Sequence, residues 1–142
     1  MIFDKRYEDR LAAWHDFRKT LETANDPIQE VIDAYKQVPL VSIYTDPWSP
    51  DLWPGPWELI NENEYCDFCK VLGMCYTLQL TDRFSDAKFE IHIGVDIEKS
   101  DTYYLLFIDD RVLNYDRNTH ISTNELPPSF KSQTTYPMLK LQ

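Results

Sequence analysis

Between Asp46 and Trp57 the chain reads Asp46-Pro47-Trp48-Ser49-Pro50-Asp51-Leu52-Trp53-Pro54-Gly55-Pro56-Trp57, four prolines and three tryptophans in twelve residues. Proline has no amide hydrogen and fixes its own φ, so neither a helix nor a central strand can run through this stretch. Residues 45–57 must form a stiff loop carrying large aromatic anchors. Two uses are open for Trp48, Trp53 and Trp57: packing onto helices beneath, or serving as a platform for a ligand or partner protein. The loop lies inside a chain of 142 residues, about the length of a single domain, 1–142.

Ahead of the loop the pattern is helical. Tyr7, Leu11, Trp14, Phe17 and Leu21 recur every three or four residues and predict a helix over roughly residues 4–23, with Arg10, Asp16, Lys19 and Glu22 elsewhere around it. Asp26-Pro27-Ile28-Gln29 is a helix start, with Asp as cap and Pro at the first helical position. Ile28, Val31, Ile32 and Tyr35 make the inward face, and Pro39 ends the helix. Residues 1–38 are therefore expected as a helical pair. Leu40 to Tyr44 is short and β-prone, a candidate edge strand.

Behind the loop, residues 56–81 read as central helices. Pro56 opens one with Leu59 and Ile60 inward. A second, from about Glu64 to Thr81, buries Tyr65, Phe68, Cys69, Leu72 and Tyr76. Residues 87–116 read as an antiparallel sheet. Phe89, Ile91, Ile93 and Val95 alternate with Glu90, His92 and Gly94; Thr102 to Ile108 is nearly all apolar and so central; Asp109-Asp110 makes a tight turn; Arg111 to Tyr115 returns. The prolines at 127, 128 and 137 predict an irregular C-terminal tail over 117–142. The expected class is α+β: helices packed on a small antiparallel sheet of three to four strands.

With 43% hydrophobic and 27% charged residues, the chain has a globular composition, which excludes a disordered tail or a fibre. No repeat of 20 to 50 residues is present. Three glycines leave little room for a phosphate-binding loop. Asp and Glu number 24 against 14 Lys and Arg, a net charge of -10. Such a surface repels phosphate, so neither nucleic acid nor an anionic membrane is an expected partner. The charge serves solubility or docking to a basic protein surface.

Three cysteines, Cys66, Cys69 and Cys75, do not make a disulfide framework. The first residues hold no apolar signal core, and no run approaches the length of a membrane span. A reducing cytoplasm is the expected compartment. Cys66 in the first turn of a helix feels the positive end of the macrodipole, which lowers a thiol pKa. Glu62, Glu64 and Asp67 oppose this, and only Lys70 offers a nearby cation. Cys66-Asp67-Phe68-Cys69 is a C-x-x-C, but a helix precedes it rather than the usual strand. Zinc would need two further ligands, and Cys75, His92, His120 and His15 lack ligand-like spacing, so no metal and no cofactor are expected. His92 as base and Asp116 as its orienter complete the one catalytic set available to Cys66.

Pro56-Trp57-Glu58-Leu59-Ile60 through Tyr65-Cys66-Asp67-Phe68 resembles the cysteine-helix region of transglutaminase-like (papain-like) domains, over roughly residues 53–120. The resemblance implies a nucleophilic Cys at a helix start, a His on a following strand and an Asp on the next. Cys66 matches the nucleophile, and Arg111-Val112-Leu113-Asn114-Tyr115-Asp116 matches the strand ending in Asp. The strand between carries Thr102 where the His belongs, and Thr cannot take a thiol proton at neutral pH. His92 lies one strand too early, so the triad is degenerate.

A second likeness spans nearly the whole chain. Tyr7-Glu8-Asp9-Arg10-Leu11, Asp26 to Asp33, Trp53-Pro54-Gly55-Pro56-Trp57-Glu58-Leu59-Ile60 and Cys75-Tyr76-Thr77-Leu78-Gln79-Leu80-Thr81 resemble a small protein family of contractile-tailed (myovirus) cyanophages. That implies a viral origin rather than an activity, with a location in the virion or the host cytoplasm. The expected role is a non-enzymatic virion or assembly component that binds other phage proteins. The alternatives are a cysteine hydrolase or acyl transferase using Cys66, His92 and Asp116, and a binder of a host protein made during infection.

Overall fold

Helix boundaries follow local chemistry. In the computed structural model, which describes residues 1–42 and 44–141, α1 spans Tyr7–Leu21 and α2 spans Pro27–Tyr35. Asp26 caps α2 by accepting the Gln29 amide at 3.1 Å, with Pro27 at the position where a missing N–H costs nothing. Ile28, Val31, Ile32 and Tyr35 are all buried, as their spacing requires. α3 covers Pro56–Glu62, with Leu59 and Ile60 inward, and Asn63 ends it in the left-handed region. α4, Asp67–Gln79, is the central helix, with nearly every residue from Phe68 onward buried. Helices apolar on all sides belong inside.

Among the described residues the sheet has five strands, β1 Phe89–Asp96, β2 Asp101–Ile108, β3 Arg111–Leu113, β4 Ile121–Ser122 and β5 Phe130–Pro137. All pairings are antiparallel, in the order β4-β3-β2-β1-β5. Phe89 and Ile91 of β1, Tyr104, Leu106 and Ile108 of β2, and Leu113 of β3 pack against the helices in one core. The other face carries His92 stacked on Phe107 at 3.8 Å and Tyr103 stacked on Tyr115 at 5.0 Å.

The α+β class and the central place of β2 are as expected; the sheet has five strands rather than three to four, α4 starts at Asp67 rather than near Glu64, and three further details differ. Residues 117–142 are not an irregular tail. They supply β4 and β5, and β5 pairs along β1 from Glu90↔Pro137 to Asp96↔Phe130. The prolines bracket this edge strand instead of breaking it. Its alternation is hidden because it slips register at Ile93/Gly94 and leaves most of its side chains in water. Leu40 to Tyr44 is not a sheet strand: Leu40 makes one parallel bridge to Tyr65, and Ile43 lies outside the described residues. Arg10, which lies off the apolar stripe of α1, is nonetheless buried. Its guanidinium donates to the carbonyls of Ile60 at 2.7 Å, Asn61 at 3.0 Å, and Lys5. It ties α1 to the end of α3, and its charge is matched by backbone dipoles rather than by a carboxylate.

Candidate functional site

Two short backbone bonds place the site. The Val41 amide donates to the Tyr65 carbonyl at 2.9 Å, and the Tyr65 amide donates to the Pro39 carbonyl at 3.2 Å. These lay residues 39–41 alongside the segment that enters α4. Cys66 follows as the cap residue of α4, with extended backbone (φ -104, ψ 177). Cys69 is the third helical residue, buried, with its thiol hydrogen-bonded to the Thr45 hydroxyl at 3.1 Å. Cys66 is thus one residue ahead of the helix rather than in its first turn.

Cys66 is half-buried and opens on two hollows. One is a groove of about 390 Å³ walled by Leu40, Val41, Tyr44, Phe68 and Tyr104. The other, of about 140 Å³, is lined by Thr45, Leu52, Glu58, Glu62 and Glu64. The thiol is acidic despite these carboxylates. The Cys69 thiol favours the Cys66 thiolate most; the amides of Thr45, Cys69 and Phe68 add to it against the opposing effect of burial, and the pKa falls to about 5. The same contact, with burial, pushes the Cys69 thiol up. Cys75 is fully buried, and burial raises its thiol pKa as well.

The structure does not bring Cys66, His92 and Asp116 together. Cys66 lies on the helix side of the sheet, beside Tyr104. His92 projects from the opposite face, bonded to Ser132 at 2.8 Å and to Glu90 at 3.3 Å. Its side chain is only 13% exposed, less than an outward strand position suggests. The Phe107 ring beneath it supplies the cover. Asp116 sits in the loop after β3, where its carboxylate accepts the Asn118 amide at 2.8 Å. The β2 side chain that reaches the Cys66 groove is Tyr104, whose phenol burial holds neutral. A neutral phenol donates a hydrogen bond and is a poor base at pH 7.

Of the other histidines, His15 is exposed on α1 and His120 joins Arg111 at 2.9 Å to Asp26 at 3.0 Å. Among the described residues, no three His, Cys, Asp or Glu side chains are grouped as metal ligands.

The three loop tryptophans divide. Trp53 is packed between Phe68 and Tyr136 at 4.9 and 5.0 Å, and its indole N–H donates to the Asp46 carbonyl at 3.1 Å. It anchors the loop. Trp57 meets Trp14 edge-on at 5.3 Å yet stays 53% exposed, and Trp48 is 51% exposed. Sequence reasoning missed Thr45, Tyr104 and Arg117. Arg117 pairs with Asp67, the residue after Cys66, at 3.3 Å from fifty residues away. Only the β-prone run at 40–44 hinted at a groove wall.

No protein-family model matches the chain, and no curated protein matches it. Among the described residues, no helix is long and apolar enough to cross a membrane.

Proposed function

We propose that this protein works by binding another protein, as a component of a phage particle or of its assembly, on a degenerate transglutaminase-like scaffold. The observation that carries the reading is the cluster of exposed apolar side chains around Cys66. Leu40, Tyr44 and Leu52 are 63%, 68% and 75% exposed, and they wall two hollows that meet at one residue. Such surface, left open to water, is stabilised when a partner covers it. Trp48 and Trp57 extend the same loop and offer further contact area. Trp53 is excluded by its place in the core.

The scaffold reading rests on order: a cysteine heading a helix, followed by antiparallel strands against which the helix packs. What weighs against hydrolysis is the missing base, since Tyr104 occupies the strand position facing the thiol and His92 is across the sheet. The phage assignment rests on the resemblance of Tyr7 to Leu11, Asp26 to Asp33, Trp53 to Ile60 and Cys75 to Thr81.

The test is to probe gradient-purified particles for the protein, with the wild type and a Tyr44→Ser/Leu52→Ser variant supplied in separate infections. The wild type is expected in the particle fraction and the variant is expected to be depleted from it while retaining its melting temperature. A wild type confined to the free cytoplasmic fraction would overturn the particle role and point to a host target. Equal incorporation of both proteins would remove the surface from the reading.

A further inference from the structure

We propose that Cys66 and Cys69 form a redox-active dithiol that exchanges electrons with a disulfide presented in the groove beside Cys66. The two thiols stand at the cap and third positions of α4. Three residues advance a helix by about 4.5 Å, which brings the Cα atoms into the range of about 4.4–6.8 Å that a disulfide spans.

The helix that precedes the motif, α3, ends at Glu62 and does not run into it. In space, the residue before Cys66 is the bridged, extended Tyr65, and the chain passes directly from extended backbone through Cys66 into a helix. Exposure separates the roles of the two thiols. Cys66 is open to the groove and Cys69 is 3% exposed behind it. Cys75, the third thiol, is fully buried and hydrogen-bonded with the Gln79 carboxamide at 3.4 Å, so it takes no part.

Electrostatics agrees with that division. With its pKa held below the ordinary thiol value, Cys66 is the readier of the two to ionise, and Cys69 beside it keeps its proton. The Cys66 thiolate attacks one sulfur of a substrate disulfide, RS–SR. A Cys66–SR bond forms, the S–S bond breaks, and RS⁻ leaves. Cys69 gives up its proton to the departing thiolate and attacks the Cys66 sulfur. The intrachain disulfide forms and a second RS⁻ leaves, which takes a proton from water. Two electrons pass from the dithiol to the substrate, which is reduced to two thiols.

The experiment uses the full chain, reduced and then freed of reductant, with oxidised glutathione as the probe disulfide. Products are acid-quenched and read by intact and peptide mass. The wild type is expected to lose two hydrogens, with Cys66 linked to Cys69, and to retain no glutathione. Cys69→Ser is expected to accumulate glutathione on Cys66, and Cys66→Ser to gain none on Cys69. A glutathione adduct that persists on wild-type Cys66, a disulfide that includes Cys75, or unreacted thiols at neutral pH would each overturn the proposal. The wild-type masses decide the matter even if a variant fails to fold. Near-ultraviolet circular dichroism of the wild type before and after reaction shows that exchange occurs in the folded protein.

Discussion

The indole N–H of Trp14 donates to the hydroxyl of Thr77 at 3.0 Å, joining α1 to the buried last turn of α4. Thr77 in turn donates to the Gly73 carbonyl at 2.7 Å. Its oxygen therefore has one place left for an acceptor bond, and the Tyr35 hydroxyl at 2.8 Å fills it as donor. Both capacities of one small hydroxyl are used, and three helices meet at it. Burial also holds the Tyr35 phenol neutral by raising its pKa.

Thr77→Val keeps the shape and removes the acceptor, leaving the Trp14 and Tyr35 donors buried without a partner. At about 1–3 kcal/mol for each unsatisfied group, the variant is expected to lose roughly 3 kcal/mol or more of unfolding free energy. Thr77→Ser is expected to retain most of it. Urea titrations of the three proteins check this; a near-neutral Thr77→Val would show that the two donors find other partners.

Arg10 presents a second all-or-none arrangement. Its Nε and both terminal nitrogens bond carbonyls of Ile60, Lys5 and Asn61. An ammonium cannot reproduce that fork, so Arg10→Lys is expected to destabilise the fold by about 2–3 kcal/mol. Exposed Lys19→Met on the same helix should stay within about 0.5 kcal/mol. The comparison is made by thermal and urea unfolding, and equal effects at the two sites would refute it.

Gly94 tests how β5 is held. A Cβ there would run into the Phe130 ring and lie 2.7 Å from the Lys131 carbonyl. Backbone cannot yield as a side chain can, so Gly94→Ala is expected to cost about 1–3 kcal/mol. The strain falls on an edge strand, and faster hydrogen exchange should appear first across residues 130–137. Faster exchange confined to α4 would contradict that assignment.

His92 gives the fold an acid limb. Burial lowers its pKa below the ordinary value of 6.5, and neighbouring Glu90 only partly offsets this. The unfolded chain then binds the proton more readily than the folded one. Stability is full above the ordinary histidine value, and is lost as pH falls from there through the lower folded value. Unfolding midpoints measured from pH 7.5 downward are expected to decline over that window. In His92→Gln the decline should be absent until carboxylates begin to titrate. An identical profile for the variant would assign the acid sensitivity elsewhere.

Periodicity and punctuation were enough to reach the α+β class, the inward residues of α2 and most of those of α4, and the β1–β2–β3 meander, because each rests on contacts close in sequence; the helix bounds themselves shifted, α4 beginning at Asp67 rather than near Glu64. The Asp26 cap, the Pro56 start and the Asp109 turn are local chemistry of the same kind. β5 was not legible. An edge strand with one pairing partner and a slipped register has little apolar alternation, and Thr134-Thr135-Tyr136 was its one run of β-branched and aromatic residues. Arg10 misled for a related reason: two of its three acceptors are carbonyls about fifty residues away, and every residue has a carbonyl, so the sequence marks none as a partner.

The site divides in the same way. Sequence alone determined that Cys66 lies at the start of a helix, that Cys69 lies three residues on, and that the run from Thr102 to Ile108 carries no histidine. Only the tertiary structure decided that Tyr104 faces the thiol, that His92 lies across the sheet, and that Trp53 is an anchor while Leu40, Tyr44 and Leu52 face water. Spacing along one element fixes which side chains share its face. Which elements those faces meet depends on burial of the whole core, and that is a property of the folded chain.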